Sequence, residues 1–235
     1  MKESLFQEFE EVSAKEWKQK IQFDLKGADY NEKLVYKSLD GINIKPFYSA
    51  EDVEESIKTP SPKNWNICEK LYVVSAEKSN KRANEILKKG TESLWFIIPN
   101  EEISIEKLLE GIVPDKTIIY FSFSFFSEDY FKRFREYFKG KQHQVFLQID
   151  IIGNLARSGN WFHNLQKDHE ILDSIFTNSK DFKSVISIDT TLYQNAGANI
   201  PQQLAYALAH VNEYLNHFQE NPNFEKFQPQ FLIAS

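Results

Sequence analysis

The chain has 235 residues, enough to bury a sizeable core in one large domain or two small ones. Hydrophobic residues make up 41% and charged residues 26%, a globular balance, with 20 phenylalanines an unusually large share. The net charge of -6 argues against nucleic acid, whose phosphates require a basic face. A single cysteine, Cys68, excludes an intramolecular disulfide and fits a reducing, cytoplasmic setting. It reads as a small buried hydrophobe rather than a nucleophile. The polar, acidic start MKESLFQEFE is not a secretory signal. The longest apolar run, near Ile118 to Phe126, is interrupted by serines and too short to span a bilayer.

Residues 1–61 read as an N-terminal arm. Ser13 and Glu16 form a capping box, and Trp17, Ile21 and Leu25 repeat at four-residue spacing on one helix face. Lys26-Gly27-Ala28-Asp29 ends that helix. Leu34-Val35-Tyr36 reads as a short strand, Asp40-Gly41 as a turn, and Ile42 to Ile44 as the returning arm of a hairpin. Thr59-Pro60-Ser61-Pro62 is a linker.

From residue 62 to 235 strands and helices alternate. Leu71 to Ser75 is a candidate strand, followed by a helix capped by Ser79 and stopped at Gly90. Ser93 to Ile98, Thr117 to Phe123, Val145 to Ile149, Val185 to Ile188 and Phe231 to Ala234 are the other strands. Ile103 to Leu109, a segment begun at Ser127 and ended at Gly140, and Trp161 to Ile175 are helical. In the last helix, Leu204, Leu208, Val211, Leu215 and Phe218 share one face, which should point inward. Asn199 and Pro201 mark its start. Six strands and five helices imply a parallel sheet with right-handed crossovers, either a barrel or an open doubly wound sheet. In the Phe-rich helix, Tyr130, Phe134 and Tyr137 form one face and Phe131 and Phe138 another. Such a helix should bury both faces, against a partner or a second layer of structure.

Several residue types could carry chemistry. Asp150 and Asp189 follow strands, where barrel enzymes place catalytic acids, although an aspartate there also caps the next loop. A free-standing enzyme built on these two acids is therefore one reading. The stretch Gly153 to Asn160 reads as a flexible loop without P-loop spacing, with Arg157 its one cation. The histidines at 143, 163, 169, 210 and 217 lack the spacing of a metal site, and His210 and His217 flank the apolar stripe as solvated residues.

The segment Asn195 to Ala198, Gln203 to Ala209 and Glu213 to Leu215 resembles the Asn-Ala-Gly-Ala…Gln-Leu-Ala-Tyr-Ala-Leu-Ala…Glu-Tyr-Leu segment of methylmalonyl-CoA mutases. The string from Trp17 through Leu25-Lys26-Gly27, Asp40-Gly41-Ile42 and Pro46-Phe47-Tyr48 to Glu51-Asp52 is similar to the start of that family's small subunit. The resemblance implies a partial (β/α)8 TIM-type barrel with an N-terminal helix-hairpin arm, the arm packing against a partner chain. In the family's catalytic chains a histidine stands four residues before the Ala-Gly-Ala turn; here that position is Leu192. An isobutyl group can neither hydrogen-bond a thioester carbonyl nor transfer a proton. The family's Arg-Gln-Tyr-Ala-Gly-Phe string is not matched by Asn66 to Tyr72, and no Asp-x-His-x-x-Gly cobalamin loop occurs.

What the resemblance implies is a non-catalytic small subunit that binds no cofactor itself. Its partner, a catalytic large subunit, would hold adenosylcobalamin and interconvert methylmalonyl-CoA and succinyl-CoA in a heterodimer. A surviving CoA-ester binding module is a further reading. A complete barrel needs about 250 residues, and only about 170 follow the arm. The sequence is therefore expected to be the N-terminal part of a longer protein. The open barrel edge would have to be covered or paired with another copy.

Overall fold

The computed structural model describes residue 9 and residues 12–52 and 64–233. The chain divides into two compact units, residues 1–62 and 63–235. The Thr59 to Pro62 linker and the end of the last predicted strand, at Ala234, lie outside the described residues.

In the first unit, helix α1 (Ala14–Asp24) begins at the expected capping box. Ser13 Oγ accepts from Glu16 N at 3.2 Å, and Glu16 returns a carboxylate oxygen to Ser13 N at 2.9 Å. The bonds that this carboxylate accepts from Ser13 N and from Ser13 Oγ hold the Glu16 carboxyl below its usual range. Lys26 and Gly27, both with positive φ, end the helix. A second helix, α2 (Tyr30–Leu34), was not expected; Asp29 caps it by accepting from Glu32 N. It takes Leu34 out of the predicted strand, and only β1 (Tyr36–Lys37) pairs, antiparallel, with β2 (Asn43–Ile44). The Asp40-Gly41 turn stands, with Gly41 at φ 77°. Tyr30 is the one core residue among the described residues of this unit, and Trp17 is 51% exposed.

The second unit is a parallel sheet of six strands: β3 (Cys68–Tyr72), β4 (Ser93–Ile98), β5 (Ile118–Phe123), β6 (Gln144–Ile149), β7 (Ser184–Asp189) and β8 (Gln230–Leu232). Each strand pairs with its sequence neighbours, in the order β3-β4-β5-β6-β7-β8. That order never reverses, so the doubly wound alternative, which requires a switch point, is excluded. Lys70 on β3 and Leu232 on β8 border one cavity, which requires the sheet to curl. The fold is a partial (β/α) barrel. β3 lies three residues earlier than predicted, so Ser75, not Ser79, caps α3 (Ala76–Leu87).

Strand alternation separates the two faces. Leu94, Phe96, Ile98, Ile119, Phe121, Val145 and Leu147 are buried beneath the helices, while Trp95, Ser122 and Gln148 line the concave side. Helix α4 (Ile105–Leu108) is short. Helix α5 (Glu128–Phe138), capped by Ser127 as expected, buries Tyr130, Phe131, Phe134 and Phe138. The Phe134 ring meets Phe121 edge-on at 4.9 Å and stacks on Phe182 at 5.8 Å. Both aromatic faces are thus absorbed within this unit.

The run that was read as a flexible loop folds as helix α6 (Ile151–Ser158), ended by Gly159 in the left-handed conformation. It follows β6 directly because Asp150 caps it. Helix α7 (Leu165–Asn178) starts later than the predicted Trp161 and runs beyond the predicted end at Ile175. Helix α8 (Thr191–Asn195) adds a turn after β7.

Helix α9 (Ile200–Phe218) opens on a capping box between Asn199 and Gln202. Its buried face differs from the predicted stripe. Ala207, His210, Val211, Tyr214 and Phe218 point inward, while Leu204 is 61% and Leu208 54% exposed. Two side chains set this rotation: Phe218 stacks on Phe176 of α7 at 4.1 Å, and the Tyr214 hydroxyl reaches Asp150.

Candidate functional site

The carboxyl ends of the strands converge on a cavity of about 480 Å³ bordered by Asp150 and Asp189, the two strand-end acids. Both carboxylates are already engaged. Asp150 Oδ1 accepts from Gly153 N at 2.7 Å and from the Tyr214 hydroxyl at 2.8 Å. His210 Nε2 lies 2.9 Å from the same oxygen, without the alignment of a hydrogen bond. The Tyr214 hydroxyl also accepts from Ile152 N, so one phenol joins both ends of the β6–α6 junction. Burial, followed by the Asp150 charge, pushes the Tyr214 phenol well above its ordinary pKa. It stays protonated and acts as a donor.

Asp189 Oδ1 accepts from Thr191 N at 3.0 Å and from Thr191 Oγ1 at 2.6 Å, while Oδ2 faces Arg157 at 3.5 Å. Each acid caps the segment that follows it. Arg157, the one cation of the Gly153 to Asn160 run, faces Asp189. Gly153 has a specific cause: a Cβ there would lie 2.0 Å from Asp150 Oδ2. The glycine allows the capping carboxylate to fold back over the first helical turn.

Leu192 lies on α8 and does not border this cavity. The histidines separate by role. His210, expected to be solvated, is buried, and its Nδ1 shares a 2.9 Å hydrogen bond with the Tyr193 hydroxyl. His217 is partly exposed and faces Asp173 at 2.6 Å. His163 Nδ1 meets Asp168, whose fully buried carboxylate also accepts from the backbone N–H groups of Phe162 and His163. Asp168 thereby pins the α6–α7 connection, a role with no sequence signal beyond its helical position. His143 is buried between Phe138 and Phe182, with Nδ1 unpartnered. Cys68, expected inside, is exposed, because β3 is an edge strand. Among the described residues, no group of three or more His, Cys, Asp and Glu could hold a metal ion. No described helix is long and apolar enough to cross a membrane.

Residues 135–233 match the family described as Methylmalonyl-CoA mutase. The chain is also similar to a protein named Methylmalonyl-CoA mutase small subunit from Porphyromonas gingivalis (strain ATCC BAA-308 / W83). The two are 33% identical over 121 residues, covering 46% of this chain and 20% of that protein. The chain therefore spans about a fifth of the length of this curated relative. The matched region holds β6 to β8, Asp150, Leu192 and the whole of α9, the stretch whose residues carried the resemblance. Over residues 135–233 the chain is similar to the methylmalonyl-CoA mutase family.

Proposed function

We propose that this chain is part of the small, non-catalytic subunit of an adenosylcobalamin-dependent methylmalonyl-CoA mutase, working in the cytoplasm as a scaffold for a catalytic large subunit. The observation that carries this reading is Leu192. It lies inside the family-matched stretch, at the position where the resemblance places a histidine in catalytic chains. An alkyl side chain at that position removes the donor and proton carrier that the chemistry needs.

Two further observations support it. Asp150 and Asp189, on which an independent barrel enzyme would depend, are committed to capping and to Arg157. The N-terminal unit exposes Trp17, Phe23, Leu39 and Ile42. On this reading these side chains meet the partner chain. The relative's name supports a partner. On this reading the partner holds the cobalamin, and this chain contributes buried interface area and no reacting group. The test is co-expression with a large mutase subunit. A complex should form, and this chain alone should not convert methylmalonyl-CoA. Turnover by the isolated chain would overturn the proposal.

A further inference from the structure

Apart from Asp150 and Asp189, several polar groups on the concave side of the half-barrel are donors. Trp95 Nε1 donates to Ser122 Oγ at 2.7 Å, and Ser122 Oγ donates to Gln148 Oε1 at 2.7 Å. This chain occupies the Gln148 carbonyl oxygen and fixes the amide orientation. Its NH2 group has no acceptor among the described residues. On β7, Ser187 is 2% exposed and borders the same cavity, and its Oγ is buried without a hydrogen bond. On the edge strand β3, the Lys70 ammonium sits 4.0 Å over the Trp95 ring. No carboxylate among the described residues lies within ion-pair distance of it.

Three kinds of donor, an ammonium, an amide NH2 and a buried hydroxyl, therefore border one cavity without acceptors. A buried hydroxyl left unpaired is costly, so the group that completes it is an acceptor. The nearby carboxylates do not fill this role, because Asp150 and Asp189 are turned to their own caps. Another part of the lining is aromatic. Phe126 and Phe162, 5.5 Å apart, offer an apolar surface. Pockets of this volume with an apolar wall and a few fixed polar groups take small organic ligands.

We propose that this cavity binds a small organic carboxylate with an apolar body. Its oxygens accept from Lys70, Gln148 and Ser187, and its body rests against Phe126 and Phe162. The proposal does not rest on the small-subunit reading, since it needs neither a partner nor turnover.

The test is titration of the 235-residue chain with benzoate, with benzyl alcohol as the uncharged control. The readout is the Trp95 indole N–H resonance, assigned with Trp95→Phe. A saturable shift is expected for benzoate, with affinity about tenfold weaker for the alcohol. Lys70→Met, at an exposed position, should weaken benzoate by about tenfold, and Ser187→Ala by roughly threefold. Both variants should keep the native spectrum. Absence of saturation, equal affinity for the alcohol, or indifference to both substitutions would overturn the proposal.

Discussion

The Tyr214 hydroxyl donates a 2.8 Å hydrogen bond to Asp150, 64 residues earlier in the chain. This bond fixes the rotation of α9 against the junction of β6 and α6. It turns Leu204 and Leu208 outward although the sequence stripe points them in. Tyr214→Phe keeps the ring and removes the hydroxyl, leaving Ile152 N and Asp150 each short of a partner. A buried bond to a charged group is worth roughly 1.5–3 kcal/mol, so urea denaturation should show a loss of about 2 kcal/mol. A loss below about 0.5 kcal/mol would mean that water replaces the phenol and that packing alone sets the helix rotation.

Gly153→Ala separates helix propensity from the capping geometry. In an ordinary helix, replacing glycine by alanine stabilises by about 1 kcal/mol. Here the new Cβ meets Asp150 Oδ2 at 2.0 Å, so the carboxylate must leave its bonds to Gly153 N and Tyr214. The lost charge-assisted bonds, roughly 1.5–3 kcal/mol each, outweigh the propensity gain. The variant should therefore melt lower than the parent, and a higher melting temperature would show that Asp150 moves freely.

His143 gives a pH signature. Burial lowers its pKa below the ordinary 6.5, Lys183 adds to the effect, and Asp181 opposes it more weakly than burial acts. The unfolded chain therefore binds the proton more readily than the folded one, and stability rises with pH across this window. Stability is full above 6.5 and falls as the pH drops below that unfolded value toward the folded one. Chemical denaturation at stepped pH should show this decline beginning as the pH falls below 6.5, and His143→Leu should flatten it. An unchanged slope in the variant would assign the decline elsewhere.

The outward leucines give a direct check on the α9 orientation. Leu204→Ser and Leu208→Ser should each change stability by no more than about 0.5 kcal/mol. Phe218→Ala, at a fully buried ring stacked on Phe176, should cost about 3–5 kcal/mol. A cost of 2 kcal/mol or more at Leu204 would restore the inward stripe.

These contrasts mark what local sequence chemistry can specify. The caps at Ser13, Ser127 and Asn199 are local hydrogen-bond patterns, and all three stand where the sequence places them. Strands β4 and β7 were legible because β-branched and aromatic runs fit a strand buried on the helix side. The α9 rotation was not legible, because it depends on a phenol meeting an acid from a distant strand, which no periodicity encodes. His210 was misread for the same reason: a polar residue beside a stripe becomes buried once the helix turns. Gly153 to Asn160, with its two glycines, reads as a flexible loop, whereas Gly153 makes room for the Asp150 cap and Gly159 ends the helix. Cys68 was expected inside because a lone cysteine usually behaves as a small hydrophobe, and the edge strand that exposes it begins three residues before the predicted one.

The most direct test of the central claim is a paired assay of methylmalonyl-CoA to succinyl-CoA conversion with added adenosylcobalamin. One sample holds this chain alone, and the other holds it co-purified with a catalytic large mutase subunit. The account predicts a stable complex, with turnover only in the sample containing the large subunit. Conversion by this chain alone would contradict it, showing that Leu192 does not mark an inactive barrel; failure of the two chains to co-purify would contradict the scaffold role.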